Sequence, residues 1–346
     1  MNEPQLKYLA SSILIAMGMS STAVIAEPKL EISGALEVEI NSGKDHLAAK
    51  GSDIALATVE LGFDAEINKN VSAHILFLHE DDDTDPPVID EGTLSIAMGS
   101  IFLNAGRMYV PFGNFESNMI SDPLTLEIAE TQEAAIEFGF ESGGLRASVY
   151  AFNGGADKAG VDKDIVDDFG VSLSYAMKTS SMELDIGYDF INNMAETDAF
   201  EGAVLAPNAI TEQTAGMALH AILNIGSLAI IAEHISAADD FNIADLAFNG
   251  AKASPSASNI EIAYTMNMSG REITVAVAHQ STADIDPASA ATLGLPESRN
   301  MASVSTTVAG DVGLAVEFSD ATDYETIDNG SGESGGMLTV QLAVEF

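Results

Sequence analysis

The sequence of 346 residues contains no cysteine and no tryptophan. A chain without cysteine forms no disulfide, no thiolate metal site and no thiol nucleophile, so zinc-finger and redox-motif proteins are excluded. Beyond its N-terminus the chain also lacks an uninterrupted apolar segment of the ~20 residues that a transmembrane helix needs. A helical membrane protein is therefore excluded as well.

Basic residues are scarce, because 13 Lys and Arg stand against 53 Asp and Glu and give a net charge of −40 at pH 7. Nucleic-acid binding depends on basic side chains that neutralise phosphates, so no nucleic acid is expected as a partner. A surface this acidic instead concentrates cations and positively charged solutes around it. The alternative is that the acidity only keeps the protein soluble in a saline habitat.

The N-terminal segment has the pattern of a secretory signal peptide. Lys7 gives a weakly basic start, 8–19 is an apolar run, and Ala26 completes a small-residue cleavage site. A membrane anchor is the alternative, but the apolar run is shorter than a bilayer span. We therefore predict a signal peptide at 1–26 and one domain at 27–346, in a protein that is periplasmic, secreted or inserted in the outer membrane.

The mature chain consists of runs in which apolar and polar residues alternate. In the first run Leu36 and Ile40 fall on one face while Glu37 and Glu39 fall on the other, which is the pattern of a strand with one apolar face. Such runs predict sixteen strands, at 30–41, 53–67, 71–80, 91–98, 101–110, 132–141, 145–153, 166–177, 181–191, 213–223, 227–236, 256–267, 271–280, 298–308, 311–320 and 336–346.

The connections between these runs alternate between very short and long. The short ones, such as 68–70 and 99–100, are turns, whereas 42–52, 111–131 and 192–212 are long loops. An even number of ~10-residue strands with all long loops at one end is the pattern of a transmembrane antiparallel β-barrel. A soluble β-sandwich is the alternative, but it has no reason to place every long loop at the same end.

If the apolar faces of the strands look outward to lipid, their acidic faces line a lumen. Arg146 is a clear base on the same inward face. Rings of acidic side chains in a pore admit cations. The acidic residues that we predict to face the lumen are Glu37, Glu39, Glu60, Asp64, Glu137, Asp185 and Asp189.

The third external loop, 111–131, interrupts this pattern for some twenty residues. Pro111 and Gly113 end the preceding strand, and Phe112 and Leu124 are among several apolar residues that need a surface to pack against. Since a sixteen-stranded barrel keeps an aqueous lumen, we expect this loop to fold inward and narrow it. Alternatively, it caps the barrel from outside. The residues that we predict at or near the constriction are Arg107, Tyr109, Asn114, Glu116, Asp122, Glu127 and Glu130.

The segment from Ala105 to Glu127, which reads AGRMYVPFGNFESNMISDPLTLE, resembles the hallmark segment of the siderophore porins named for the legiobactin receptor of Legionella. Its shorter piece G-x-x-x-x-P-F-G is also similar to the phosphate-selective porins. The resemblance implies a passive outer-membrane channel of a Gram-negative bacterium, without a plug domain, that is associated with ferric siderophore uptake. The acidic lumen conflicts with a phosphate channel and better suits a cationic or neutral iron chelate.

Other functions stay open at this point. A general cation-selective porin, an adhesive or structural barrel and a barrel enzyme are the alternatives, although we find no catalytic Ser–His or carboxylate–His spacing and predict no enzyme, cofactor or metal site. The expected partners are outer-membrane lipid, small solutes or ferric siderophores, and the barrel assembly machinery. The machinery is expected because the terminal Phe346, which ends an alternating strand, resembles the signal by which it recognises outer-membrane proteins. A homotrimer is a candidate assembly.

Overall fold

A computed structural model describes residues 29–47, 49–81, 86–160, 165–203, 209–285, 294–310 and 312–346. The predicted signal peptide lies outside the described residues. Sixteen strands dominate the fold, and we label them β1 to β16 in chain order. They are Lys29–Lys44, Lys50–Asn68, Val71–His79, Val88–Met98, Ile101–Tyr109, Gln132–Ser142, Leu145–Phe152, Asp168–Lys178, Met182–Ile191, Gly216–Ile225, Leu228–Ala237, Ser256–Met268, Arg271–Ala283, Ser298–Val308, Val312–Thr322 and Ser334–Glu345.

Each strand pairs with the next in antiparallel fashion, and β16 pairs with β1, so the sheet closes into a barrel. Gly34 and Phe346 exchange two backbone hydrogen bonds of 3.0 Å at this seam. The structure confirms the sixteen-stranded antiparallel barrel predicted from the alternation, and the predicted strand ends lie within three residues of those observed. Full closure removes the unpaired edges that an open sheet would expose.

The outer surface of the barrel is apolar. Phe138 of β6, Ile260 of β12 and Val277 of β13 are each more than half exposed, as side chains that face lipid are in a barrel without its membrane. Their immediate neighbours along each strand, such as Glu137 and Glu261, are buried on the inner side. The alternation therefore has the predicted sense, with apolar residues outward and acidic residues inward.

Three register irregularities interrupt the ladder. They lie between Glu37 and Glu39, between Glu66 and Asn68, and between Leu76 and Phe77. A bulge adds a residue to one strand and locally changes which face a side chain takes. They lie in the pairs β1–β2, β2–β3 and β3–β4, so the facing of side chains is least regular in the first four strands.

The long connections at one end of the barrel carry the remaining elements. They include helices α1 (Leu124–Ala129) and α2 (Asp198–Ala203) and the 3-10 helices Met194–Glu196 and Thr326–Asp328. A parallel pairing joins 157–158 to 209–210, and a small hairpin joins 247–248 to 251–252. Within the described ranges, no helix has the length and apolar character to cross a bilayer.

Candidate channel constriction

The segment 111–130 between β5 and β6, which we call the inner loop, is closed at its neck and lies inside the barrel. Val110 N–H donates to the carbonyl of Thr131 at 3.0 Å, so the two ends of the loop are held together. From this neck the loop reaches the inner faces of strands as distant as β15. The prediction that this loop folds inward agrees with its path, and the alternative of an external cap does not.

Carboxylates on the barrel wall hold the backbone of the inner loop. Gly113 N–H donates to Asp189 of β9 at 3.2 Å, and Asn114 N–H donates to Glu233 of β11 at 2.7 Å. Thr125 Oγ1 donates to the other oxygen of Glu233 at 2.6 Å. Hydrogen bonds to ionised acceptors are stronger than neutral ones, so each such contact is a firm anchor.

The same arrangement continues along the wall. Asn118 N–H donates to Glu261 of β12 at 2.9 Å, and Ser117 Oγ donates to the second oxygen of that carboxylate at 2.8 Å. Ile120 N–H donates to Glu317 of β15 at 2.6 Å. The loop therefore meets a wall carboxylate about every three residues while it runs around the inside of the barrel from β9 to β15. We call Asp189, Glu233, Glu261 and Glu317 the anchor carboxylates.

Apolar side chains of the inner loop fill the space between these anchors. Phe112, Leu124 and Ile128 are at most 1% exposed and belong to one buried cluster with wall residues such as Ile235. Gly216 of β10 makes room for this packing, because a Cβ there would lie 2.8 Å from Phe112 Cζ. The apolar residues of the loop, which predict that it is packed, therefore lie against the inner wall of the barrel.

The last part of the inner loop is a tight turn followed by α1. Arg299 of β14 donates through Nη2 to the carbonyl of Asp122 and through Nε to Gln280 Oε1 at 3.0 Å. That same Gln280 oxygen accepts Leu124 N–H at 3.3 Å. Two wall side chains therefore clip the turn that begins α1.

This turn and helix carry acidic groups whose ionisation is disfavoured. Burial raises the pKa of Asp122, and Glu39 and Glu317 raise it further, whereas Arg299 lowers it. Burial also raises the pKa of Glu127, with Asp122 contributing in the same direction. Burial, together with Asp198 and other carboxylates nearby, raises the pKa of Glu130 to about 8. The structure brings these three predicted residues together on one side of the lumen.

Asn114 and Glu116 take part in the anchored half of the loop. The backbone of Asn114 binds Glu233, and its side-chain oxygen accepts Glu116 N–H at 3.4 Å. The side chain of Glu116 is exposed and repels Glu261 electrostatically. These two predicted residues therefore lie on the inner loop, but on the stretch that follows the wall from β11 to β12.

The acidic residues predicted to face the lumen divide into two groups. Glu37 and Glu39 share the side-chain amide of Gln341, at 3.2 and 3.0 Å, and are only partly buried. Glu137 and Asp189, by contrast, are 4% and 3% exposed. Acidic residues of the first group can meet the solution, whereas those of the second are enclosed by partners.

The other residues predicted to face the lumen are only partly buried, like Glu37 and Glu39. Asp64 is within 2.8 Å of His74, and Asp185 is within 3.4 Å of His220. Glu60 lies on the neighbouring strand to Glu37 and is partly buried. Arg146, the predicted inward base, is bound to Glu137 at 3.0 Å.

Two further residues predicted at the constriction, Arg107 and Tyr109, lie at the end of β5. Arg107 donates to Gln132 at 2.7 Å and Tyr109 OH donates to Asp90 at 3.2 Å. Glu130 of the inner loop interacts electrostatically with Tyr109, and Asp198 interacts with Arg107. That Arg107 and Tyr109 border the constriction stays a prediction.

Sequence reasoning missed Arg299, Gln280 and Glu233 as residues that hold the inner loop. Their alternation with exposed residues such as His279 and His234 does place them inward. No sequence signal, however, indicates which inward side chains meet a loop from another part of the chain. Among the described residues no group of three or more His, Asp and Glu is arranged to hold a metal ion.

Residues 10–345 match the model of the Gram-negative porins. The chain belongs to the Gram-negative porin family. The closed barrel with a loop bound to its inner wall agrees with this family, and the match covers nearly the whole length. The protein is accordingly a porin of the outer membrane.

Curated relatives of this porin carry no assigned function in their names. A UPF0422 protein of Coxiella burnetii is 24% identical over 92% of this chain, and a UPF0422 protein of Legionella pneumophila is 25% identical over 85%. The porin spans 72% of the length of the first and 62% of the second.

Solved porin-like structures share the fold at low identity. OprB of Pseudomonas putida aligns with a TM-score of 0.62 at 10% identity, covering 92% of this chain and 94% of that one. The trimer form of OmpT, an outer membrane protein of Vibrio cholerae, aligns with a TM-score of 0.56 at 11% identity, covering 93% and 100%. At such identities these likenesses concern the barrel alone.

Proposed function

We propose that this porin is a passive diffusion channel that prefers cations, with its aperture between the inner loop and the wall formed by β16, β1 and β2. The observation that supports this most directly is the position of Asp122. Its carboxyl lies close enough to Glu39 of β1 for the two acidic groups to repel each other electrostatically. Acidic groups therefore stand on both sides of the space that the loop leaves open.

The charge that a passing ion meets follows from which carboxylates are accessible. The anchor carboxylates are enclosed by the loop, so they contribute little to the accessible charge. Glu37, Glu39 and Glu60 are only partly buried on the opposite wall. The bases Arg146 and Arg299 are engaged with Glu137 and with the loop. Rings of accessible acidic groups lower the energy of cations in a pore and raise that of anions.

For the solute, we propose a cationic or neutral ferric siderophore. The segment whose residues resemble the siderophore porins is the inner loop together with the end of β5, which is the part of the chain that narrows the lumen. A strongly acidic aperture favours a chelate without excess negative charge. A general porin for small cations is the alternative. That the protein is not an enzyme, and does not act mainly as an adhesive barrel, stays a prediction.

The decisive experiment is the reversal potential of the purified porin in a planar bilayer with a salt gradient. We expect strong cation selectivity, and a marked reduction of that selectivity in a Glu37→Gln/Glu39→Gln/Glu60→Gln variant. The matched control is Glu183→Gln, since Glu183 lies at the short-turn end of β9, which is the periplasmic end in such barrels, away from the loop. Anion selectivity in the wild type, or no current, would refute the proposal.

The siderophore part has its own test. Cationic, neutral and anionic ferric siderophores are added to one side while the current is recorded. Block at low concentration by the cationic or neutral compounds alone supports a specific site at the inner loop. Cation selectivity without block by any of them leaves a general porin.

We further propose a homotrimer that the barrel assembly machinery inserts. The trimer form of the Vibrio cholerae protein supports the first part by analogy of fold. Phe346, which is 71% exposed at the end of the closing strand, supports the second. Light scattering of the detergent-solubilised porin measures the first, and insertion of a Phe346→Ser variant measures the second.

A further inference from the structure

Arg299 stands out because it is a wall base that touches the inner loop itself. Its Nη2 donates to the carbonyl of Asp122, and its Nε donates to Gln280, which in turn binds Leu124 N–H. The guanidinium is therefore fixed beside the turn that starts α1. Because it donates to a backbone carbonyl and an amide oxygen, its charge is not paired by a salt bridge within 4.0 Å among the described residues.

The charged groups around this guanidinium all have the opposite sign. Asp122 lies on the turn, Glu127 on α1 and Glu317 on β15, and each interacts electrostatically with Arg299. Glu39 faces Asp122 from β1. One positive charge is thus placed among acidic groups from three elements that pack around it.

We propose that Arg299 is a specificity-determining residue of this channel: it holds the Asp122–Glu127 turn against the wall and fixes the charge that this turn presents to passing ions. Without the guanidinium, the charged groups that act on Asp122 and Glu127 among the described residues are other acids, namely Glu39 and Glu317 on Asp122 and Asp122 on Glu127. Carboxyls in such surroundings take up protons instead of remaining charged. With it, this uptake of protons is opposed, so the turn keeps more of its negative charge at the aperture.

This inference rests on the proposed channel function and makes its own prediction about pH. Burial already raises the pKa of Asp122 and of Glu127, and Arg299 opposes that shift. Loss of the charge removes the opposing effect, so cation selectivity should disappear at a higher pH on acidification. A nearby opposite charge typically shifts a carboxyl pKa by 1–3 units, so we expect the midpoint to rise by about one pH unit.

The experiment records reversal potential from pH 4 to pH 9 for the wild type, Arg299→Met and Arg299→Lys. We expect the midpoint to rise in Arg299→Met and to stay near the wild-type value in Arg299→Lys, which keeps the charge but cannot reproduce the guanidinium's fork. Arg271→Met is the matched control, because Arg271 is an exposed base at the periplasmic start of β13. Heat-modified mobility on gels verifies that each barrel is folded.

A background without the two carboxyls separates charge from structure. In an Asp122→Asn/Glu127→Gln porin, the further change Arg299→Met should no longer move the midpoint. Equal midpoint shifts in the Met and Lys variants, or a shift that persists in this background, would overturn the role of Arg299. A wild type that conducts no cations would instead remove the proposed function, so the two failures are distinguishable.

Discussion

Glu233 of β11 accepts the backbone N–H of Asn114 at 2.7 Å, although 119 residues separate the two in sequence. The same carboxylate also binds Thr125 Oγ1 at 2.6 Å, so it holds both the outgoing and the returning part of the inner loop. It is 5% exposed. This side chain is therefore the best place to detach the loop from the wall.

Glu233→Leu should release the inner loop. Removing the carboxylate leaves the N–H of Asn114 and the hydroxyl of Thr125 without acceptors, and hydrogen bonds to charged groups contribute about 1.5–3 kcal/mol each. We expect a larger and noisier single-channel conductance, measured in a planar bilayer. Glu272→Leu is the control, because Glu272 lies near the periplasmic start of β13 and is exposed. An unchanged conductance in Glu233→Leu would show that the loop does not narrow the channel.

Glu130 should make the channel sensitive to alkaline pH. Burial, Asp198 and other carboxylates nearby raise its pKa to about 8, so it carries a proton at neutral pH. Above pH 8 it ionises and adds a negative charge beside the aperture. Cation selectivity should therefore rise through about pH 8, and the rise should be absent in Glu130→Gln. A wild-type cation selectivity that does not change from pH 7 to pH 9 would contradict this role of Glu130.

The same group has a consequence for stability, with a definite sign. Its folded-state pKa lies above the unfolded value of about 4.5, so the native state binds the proton more tightly. The stabilisation is complete below pH 4.5 and is lost as pH rises through 8. Protease sensitivity of the inner loop should accordingly increase between pH 6 and pH 9 in the wild type and change less in Glu130→Gln.

Gly216→Ala should disturb the seat of the inner loop. The new Cβ would lie 2.8 Å from Phe112 Cζ and 3.0 Å from Ile191 Cγ2, and overpacking of a buried site costs about 1–3 kcal/mol. We expect a lower unfolding temperature and an altered conductance. Gly92→Ala is the matched control, since a Cβ at Gly92 meets nothing within 4 Å. Equal effects of the two substitutions would point to backbone conformation instead of contact with Phe112.

Arg146→Met should destabilise the barrel near β6. The guanidinium binds Glu137 at 3.0 Å and lies 4.1 Å above the ring of Phe102. Since Glu137 is 4% exposed, loss of its cation leaves a buried carboxylate whose remaining hydrogen bond among the described residues comes from Asn104. Breaking such a pair costs about 3–5 kcal/mol when the pair is buried, and Arg146 is partly open, so we expect about 1–3 kcal/mol in urea unfolding. Arg146→Lys should recover part of this loss, and a Met variant as stable as the wild type would contradict the expectation.

The barrel could be predicted from sequence because its cause is local. Alternation at a period of two, seen in Leu36, Glu37 and Glu39, is imposed by lipid on one side and water on the other, and it repeats in every strand. Turn residues such as Gly143 then fix where each hairpin ends. Such signals need no knowledge of distant residues, so sixteen strands could be counted.

The constriction could be predicted only in part. The length of the inner loop and its apolar residues Phe112 and Leu124 are visible in the sequence. Which wall residues the loop contacts depends on the three-dimensional fold. Glu261 and Glu39 look alike in sequence, yet the first is an anchor of the inner loop and the second accepts from the side-chain amide of Gln341. Arg107 is near the loop in sequence, but sequence alone does not indicate that its side chain binds Gln132.

The neck at Val110 and Thr131 closes the inner loop by a contact between near neighbours, whereas every anchor carboxylate lies later in the chain, on β9 to β15. Contacts between distant residues form slowly, because the chain entropy lost in closing large loops comes before the contact energy is gained. The inner loop can therefore dock only after the C-terminal half of the sheet has assembled around it. Until then Phe112, Met119 and Leu124 remain uncovered, so the half-built barrel is the stage at which this porin is most prone to aggregate.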